Sequence, residues 1–330
     1  MLPLRGTAKD AQNGQSFFVT LLCLKYTERN DHFMHFDSYG DYVFYDGAMG
    51  TMLQEYGLKP GQRPDILNLT KPEAVETVHR MYVDAGSQII CANTFGANAK
   101  ALHGHGITPG EIITAAIAIA KRASGGTVKV ALDVGPLGLL LEPMGDLDFG
   151  EAYDLFKEQA IAGEKAGADF AAIETMSDIT ELKAAMLAIT ENTDLPILAS
   201  MTFDKTGRTY IGCKPEEFAE TAQKLGAAAA GINCSLEPSE MTDTVMRIAS
   251  TTSLPLIIKP NAGLPDSQTS LYSVGPAEFA DQMGNLINTV REAEDNSYPN
   301  GQAPRRRIII GGCCGTTPDY IRELRKKFDI

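Results

Sequence analysis

The chain has 330 residues, of which 44% are hydrophobic and 22% are charged, a composition typical of a globular protein with a sizeable core. Its formal net charge of −13 argues against nucleic acid or an anionic membrane surface as a main partner. Six cysteines are too few for a disulfide-stapled scaffold, and no run approaches the roughly 20 apolar residues of a membrane span, so we expect a cytoplasmic, reduced protein.

Residues 1–40 differ from the rest of the chain. They lack clear helical or strand periodicity, and their one apolar patch, residues 17–24, has no evident signal-peptide cleavage site. We interpret them as an N-terminal extension that is either poorly ordered or packed against one end of the fold. Residues 41–330 are then expected to form a single domain.

From Tyr42 onward, short apolar runs alternate with amphipathic segments. The runs are continuous and rich in Val, Ile, Leu and Ala, as is typical of parallel strands buried on both faces. Prolines such as Pro215 and Pro318 mark helix starts between the runs. Eight strands are therefore predicted, at Val43–Tyr45, Gln88–Cys91, Val128–Leu132, Phe170–Ile173, Ile197–Met201, Ala229–Ile232, Leu256–Ile258 and Ile308–Ile310.

Eight strand–helix units predict an α/β fold, a single (β/α)8 TIM barrel with the N-terminal extension. A doubly wound open sheet is the alternative, and the lack of a G-x-G-x-x-G motif after the first strand disfavours it. The polar segment 295–307 precedes the eighth strand, so we place it on the barrel face opposite the strand ends. Its arginines, Arg305–Arg307, are interpreted as a solvated surface.

Three cysteines follow two of the predicted strands. Cys234 follows the sixth strand within Gly-Ile-Asn-Cys-Ser, and Cys313 and Cys314 follow the eighth within Gly-Gly-Cys-Cys-Gly. Catalytic residues of such barrels lie at the carboxyl ends of the strands. Three thiolates with an open fourth position suit a catalytic zinc ion and a sulfur substrate. The alternatives for the adjacent pair are two small buried side chains or a vicinal disulfide.

Polar and glycine-rich turns follow the other strands. Asp46, Glu174 and Asn261 are candidates to hold an amino acid, because carboxylates can bind an ammonium group. The turn from Gly47 to Thr51 offers backbone N–H groups for a carboxylate. Alternatively, Asp46 and Glu174 only accept hydrogen bonds from neighbouring loops. Cys91 lies within the second strand, and we expect it in the core.

With these motifs the chain resembles the homocysteine S-methyltransferase family, and most closely the homocysteine-binding barrel of cobalamin-dependent methionine synthases. The resemblance covers roughly residues 40–330, and the combination of Gly-Ile-Asn-Cys with Gly-Gly-Cys-Cys-Gly is highly specific. The matching segments lie in family order at residues 46–51, 92–97, 133–136, 174–178, 201–204, 231–235, 260–263 and 311–318.

The resemblance implies a Zn²⁺ cofactor held by Cys234, Cys313 and Cys314, with homocysteine as the small-molecule substrate. The implied reaction is methyl transfer to a zinc-bound homocysteine thiolate, giving methionine without a further catalytic residue. The resemblance also places the substrate among residues of the strand-end turns, namely Asp46, Gly47, Ala48, Gly50, Thr51, Asn93, Glu174, Asn233 and Asn261.

The sequence also departs from the methionine synthase pattern. The folate-binding and cobalamin-binding modules are not in this sequence, so we expect the methyl donor from elsewhere, either a corrinoid such as methylcobalamin on a separate protein or a small methyl donor. One alternative is a homocysteine-binding subunit that depends on the corrinoid protein and has no turnover alone. Lys259 at the end of the seventh strand is a further departure. It leaves a Schiff-base aldolase as a disfavoured second enzyme class, because that chemistry does not explain the three cysteines.

Overall fold

The structure is a computed structural model that describes residues 36, 38–59, 61–266, 272–297 and 305–328. Within them, eight parallel strands alternate with helices and form a nearly closed barrel, which confirms the predicted TIM-barrel fold. The strands are β1 (Tyr42–Phe44), β2 (Ile89–Cys91), β3 (Lys129–Val134), β4 (Phe170–Met176), β5 (Ile197–Met201), β6 (Ala229–Asn233), β7 (Leu256–Lys259) and β8 (Ile308–Ile310). None of the described helices has the length and apolar character needed to cross a bilayer.

The helices pack around the outside of the sheet. Proline occupies the first position of several of them, as the sequence predicts, and Gly125 and Gly167 end two of them in the left-handed conformation. In the described residues the α-helices are α1 (Met49–Glu55), α2 (Leu67–Thr70), α3 (Pro72–Asp84), α4 (Pro109–Ser124), α5 (Phe149–Ala166), α6 (Ile179–Asn192), α7 (Pro215–Lys224), α8 (Thr242–Thr251), α9 (Pro276–Ser297) and α10 (Pro318–Phe328).

Every predicted strand is present, and four of them, β3, β4, β6 and β7, continue past their predicted ends. Strand β3 continues to Val134, and β4 continues past its predicted end at Ile173 to Met176. Asp133 and Glu174 therefore lie inside strands rather than in the turns that follow them. This places both side chains on the barrel wall, where their direction is fixed by the strand.

The barrel wall is completed between β1 and β2 by one backbone hydrogen bond and by side-chain contacts to the backbone. The strand order is β1-β8-β7-β6-β5-β4-β3-β2, so the described β1 and β2 share no ladder. At this seam the Gln88 N–H donates to the Phe44 carbonyl oxygen (2.7 Å), and the Gln88 Oε1 accepts from the Phe44 N–H (3.0 Å). Further along the seam, the Cys91 N–H donates to Asp46 Oδ2 (2.7 Å).

Successive strand side chains point to opposite faces, and this divides the core into two layers. Outward-facing residues pack against the helices, whereas an inner cluster fills the barrel and contains Cys91, as expected. Phe36 is fully buried in the inner cluster and stacks on Phe170, the first residue of β4, with the ring centroids 5.8 Å apart. Phe36 therefore closes the N-terminal end of the barrel. Of the predicted extension, only Phe36 and residues 38–40 lie within the described residues.

The prediction of a solvated arginine surface was wrong for Arg306. Its Nε lies 2.5 Å from Glu294 Oε1, and its other guanidinium nitrogens donate to carbonyl oxygens at the C-terminal end of α8, both at 2.9 Å. Helix α9 continues into the predicted loop 295–307, and residues 298–304 lie outside the described residues. Arg306 therefore fixes the entry into β8 instead of facing solvent.

Candidate active site

Three thiols meet at the carboxyl ends of β6 and β8. The sulfur atoms of Cys234, Cys313 and Cys314 all lie within 4.8 Å of one another, and Cys234 Sγ is 3.8 Å from Cys314 Sγ. All three are free cysteines, so the pair 313–314 forms no vicinal disulfide. Tetrahedral zinc with Zn–S bonds of about 2.3 Å places its sulfur ligands roughly 3.8 Å apart. The thiol spacing therefore fits zinc.

A sharp backbone turn brings the sulfurs together. Cys234 and Ser235 have φ angles of 64° and 59°, in the left-handed region that non-glycine residues seldom adopt. Both cysteine loops are bound to the backbone at the end of β7. The Cys234 N–H donates to the Lys259 carbonyl oxygen (3.0 Å), and the Cys313 N–H donates to the Pro260 carbonyl oxygen (2.8 Å). Backbone strain of this kind concentrates at functional sites.

The three thiols shift one another's pKa values. Hydrogen bonds from the Cys313 and Cys314 thiols lower the pKa of Cys234, and the same contacts raise the pKa values of Cys313 and Cys314. Asn261 also hydrogen-bonds the Cys234 sulfur and lowers its pKa further. Asn261, a predicted substrate ligand, therefore lies against a cysteine sulfur.

A cavity of about 330 Å³ opens beside the sulfurs. The structure brings most of the predicted site residues to its wall, and only Asn233 and Asn261 among them lie behind it. The lining consists of Asp46, Gly47, Ala48, Met49, Gly50, Thr51, Pro64, Cys91, Asn93, Phe95, Asp133, Glu174, Thr175, Cys234, Lys259, Gly312, Cys313 and Cys314.

One wall of the cavity is the turn between β1 and α1. Gly47 is required there, because a Cβ atom would lie 2.7 Å from Thr316 Oγ1. The Ala48 N–H donates to the same hydroxyl oxygen (3.3 Å), which ties the turn to the loop after β8. The following N–H groups in the first turn of α1 have no intrahelical acceptor. Asn93 is fixed on the adjacent wall, since its Nδ2 donates to the Pro64 carbonyl oxygen (2.7 Å).

Asn233 is fully buried and binds the backbone behind the cavity. Its Oδ1 accepts hydrogen bonds from the Thr175 N–H and from Ser200 Oγ, both at 2.8 Å. Its Nδ2 donates to Thr175 Oγ1 (2.8 Å) and lies 3.9 Å from Cys313 Sγ. Thr175 has a φ angle of 62°, so Asn233 holds a strained turn beside a cysteine sulfur. These contacts are those of a positioning residue.

Lys259 lies among carboxylates inside the barrel. It is 3% exposed, and its Nζ lies 2.5 Å from Glu174 Oε1, 3.8 Å from Asp46 Oδ1 and 4.0 Å from the centre of the Tyr45 ring. Burial alone would lower the pKa of Lys259, but the negative charges around it, that of Glu174 foremost, together outweigh burial and raise it. Lys259 is therefore an ammonium group, which argues against the Schiff-base alternative because that chemistry needs a neutral amine.

Two further carboxyl groups face the cavity. Burial raises the pKa of Asp46 to about 7, against the opposing charge of Lys259, and it raises the pKa of Asp133 well above its ordinary value. Asp133 was not predicted as a site residue, and Lys259 was predicted only for the disfavoured Schiff-base alternative. The alternation of strand side chains could have identified both, because Asp133 shares its face with Ala131, and Lys259 shares its face with Ile257, in the inner cluster.

Comparison with known proteins agrees with this geometry. The model of the family described as homocysteine S-methyltransferase matches residues 43–328. The chain belongs to the homocysteine S-methyltransferase family. The family match spans the barrel from β1 to α10 and includes every predicted site residue.

Curated relatives of this homocysteine S-methyltransferase family member include proteins named methionine synthase from Mycobacterium leprae and Mycobacterium tuberculosis. Each is 30% identical to this chain over an alignment that covers 84% of this chain. The aligned region covers 24% of each relative, so the chain spans about a quarter of their length. Among solved structures, the metallated homocysteine methyltransferase MmuM from Escherichia coli superposes with a TM-score of 0.70 at 22% identity, covering 88% of this chain and 97% of that one. That likeness supports the fold.

Proposed function

We propose that this chain transfers a methyl group to the sulfur of homocysteine, giving methionine, and that Zn²⁺ bound by Cys234, Cys313 and Cys314 activates the substrate thiol. The observation that carries the proposal is the set of three free thiols within 4.8 Å of one another beside a cavity with a carboxylate wall. An amino thiol needs a soft metal for its sulfur and an anionic partner for its ammonium group. Homocysteine has both groups.

Zinc bound by these thiolates would act as a Lewis acid that keeps a substrate thiol deprotonated at neutral pH. The chain supplies the orientation. Asn233 holds the turn next to Cys313, and the N–H groups of residues 47–51 other than Ala48 are the donors we assign to the substrate carboxylate. The carboxylate wall receives the substrate ammonium, so the sulfur is held in one direction for attack on the methyl group.

The methyl donor is proposed to reach the sulfur from solvent. Phe95 lines the cavity and is 42% exposed, which places an apolar rim at the opening. We propose a corrinoid on a separate protein or a small sulfonium as the donor class. Assays with free methylcobalamin and with S-methylmethionine separate these classes. Zinc and homocysteine binding without turnover on either donor would instead support a subunit that depends on a corrinoid protein.

Metal analysis and homocysteine titration of three proteins test the proposal. We expect about one zinc per chain and homocysteine binding in the wild type. Cys234→Ser should lose both, because serine removes a thiolate ligand. Cys213→Ser is the matched control, since Cys213 is also a free cysteine but lies outside the thiol cluster. The zinc assignment fails if chelator-free wild type contains no zinc, or if Cys234→Ser binds zinc and homocysteine as the control does.

A further inference from the structure

The contacts of Lys259 change which carboxylate is available to a ligand. Glu174 contacts the Lys259 Nζ at 2.5 Å, and Lys259 is 3% exposed and packed over the Tyr45 ring. A buried ammonium that loses its carboxylate partner is strongly destabilised. Glu174 is therefore occupied by an internal cation, and its charge is already compensated before any substrate enters.

Asp133 is placed beside this pair and has no such partner. Ligand atoms of Cys91, Asp133 and Glu174 lie within 4.8 Å of one another, and Asp133 Oδ1 is a buried oxygen without a hydrogen-bond partner among the described residues. Its backbone is held in place by Thr94, whose Oγ1 accepts from the Asp133 N–H (2.9 Å) and donates to its carbonyl oxygen (2.8 Å). Asp133 is thus a pre-positioned carboxyl group that lines the cavity.

Asp46 offers a second oxygen to the same space. It is 2% exposed, its Oδ2 accepts the Cys91 N–H, and its Oδ1 has no hydrogen-bond partner among the described residues apart from the 3.8 Å ion pair with Lys259. Buried polar atoms normally have hydrogen-bond partners, and burying one without a partner costs folding free energy. Two such oxygens face one cavity, and three carboxyl groups surround a single lysine. We interpret this as a site for a cation, because a nearby cation favours the ionised carboxyl forms that burial disfavours.

We propose that Asp133, together with Asp46, binds the ammonium group of the substrate, and that Lys259 is a positioning residue that keeps Glu174 from doing so. This inference rests on the proposed function, because it assumes an amino thiol substrate. It makes Asp133 the residue that distinguishes an α-amino thiol from a thiol that carries only a carboxylate.

The test uses two ligands that differ only in the ammonium group, L-homocysteine and 4-sulfanylbutanoate, titrated into the zinc-loaded protein. Asp133→Asn should weaken homocysteine binding by about 10- to 100-fold, the usual value of a charged hydrogen bond, and leave 4-sulfanylbutanoate binding unchanged. Asp133→Ser serves as a second variant if the asparagine variant folds poorly. Zinc content and Tm verify the fold of each variant.

Equal loss of both ligands in Asp133→Asn, or no loss of homocysteine, would overturn the assignment. A wild-type protein that binds zinc but neither thiol would overturn the proposed function and this inference with it. Wild type that binds both thiols equally would overturn the inference alone, because the ammonium would then have no partner.

The role of Lys259 is tested by a double-mutant cycle on homocysteine affinity. Glu174→Gln alone should change homocysteine affinity less than threefold, because Glu174 does not contact the ammonium. In a Lys259→Met background Glu174 is released, so the same substitution should weaken homocysteine binding about tenfold or more. A purely structural Lys259 predicts the same effect of Glu174→Gln in both backgrounds, and that result would refute the positioning role.

Discussion

Replacing Asn233 with alanine tests whether one buried amide holds the thiol cluster, the proposed zinc site, together. The wild-type side chain makes three hydrogen bonds at 2.8 Å: its Oδ1 accepts from the Thr175 N–H and from Ser200 Oγ, and its Nδ2 donates to Thr175 Oγ1. Alanine leaves the Thr175 N–H without its acceptor, whereas Ser200 keeps the Ile173 carbonyl oxygen at 3.2 Å. An unpaired buried donor costs about 1–3 kcal/mol, and the cavity left behind adds to it, so we expect a loss of about 3 kcal/mol in the free energy of unfolding.

Zinc affinity should fall as well. The Thr175 turn has a φ angle of 62°, and Asn233 Nδ2 lies 3.9 Å from Cys313 Sγ, so the substitution removes support from a ligand. Loss of such a supporting contact typically lowers metal affinity by about 10- to 100-fold. Urea denaturation with and without zinc measures the first effect, and competition with a zinc chelator measures the second.

Ser200→Ala is the matched control. It removes one hydrogen bond to the same amide, but Asn233 Oδ1 keeps the Thr175 N–H, so we expect a cost of about 1 kcal/mol and unchanged zinc affinity. Similar effects of the two substitutions on stability and on zinc affinity would refute the argument that Asn233 holds the turn and the ligand together.

Three further predictions concern the fold. Gly231→Ala should destabilise the protein by about 3 kcal/mol in urea denaturation, because the added Cβ would lie 1.9 Å from a carbonyl oxygen of β7. Gly275→Ala is the control and should be tolerated, because no atom lies within 4 Å of its added Cβ. Burial raises the pKa of Glu181 from 4.5 to about 7, so its protonated form favours the folded state, and this stabilisation is complete below about pH 4.5 and lost as the pH rises through 7. Glu181→Gln should therefore gain about 3 kcal/mol over wild type at pH 8 relative to pH 4, and an equal difference between the two proteins at both pH values would contradict this. Phe36→Ala should cost about 3 kcal/mol by the same assay, and an unchanged midpoint would show that Phe36 does not close the barrel.

The barrel could be predicted from sequence because its strands are marked locally. A buried parallel strand needs a short apolar run, and all eight runs lie where strands form. The errors occurred where polar residues lie within strands. Glu174 and Asp133 ended the predicted runs, although the backbone ladder continues through Asp133 and beyond Glu174 because it does not depend on side-chain polarity.

The thiol cluster was also predictable, since the carboxyl ends of β6 and β8 lie at the same end of the barrel. The charge arrangement around it was not. Lys259 and Glu174 are 85 residues apart in the chain, and which carboxylate the lysine contacts depends on the stagger of β4 against β7. The same holds for Arg306, whose partner Glu294 lies on a helix that continues further than the polar sequence suggested.

The seam between β1 and β2 links local opening of the barrel to ligand binding in the cavity. Backbone segments held by few hydrogen bonds open locally at lower free energy than a continuous ladder, so the seam is where the barrel should open most often. One of its contacts, from the Cys91 N–H to Asp46 Oδ2, uses the carboxyl group whose other oxygen faces the cavity. A cation bound in the cavity would immobilise Asp46 and so stabilise the seam. Hydrogen exchange at the Cys91 amide should therefore become slower when the cavity is filled, and it would detect ligand binding without any turnover.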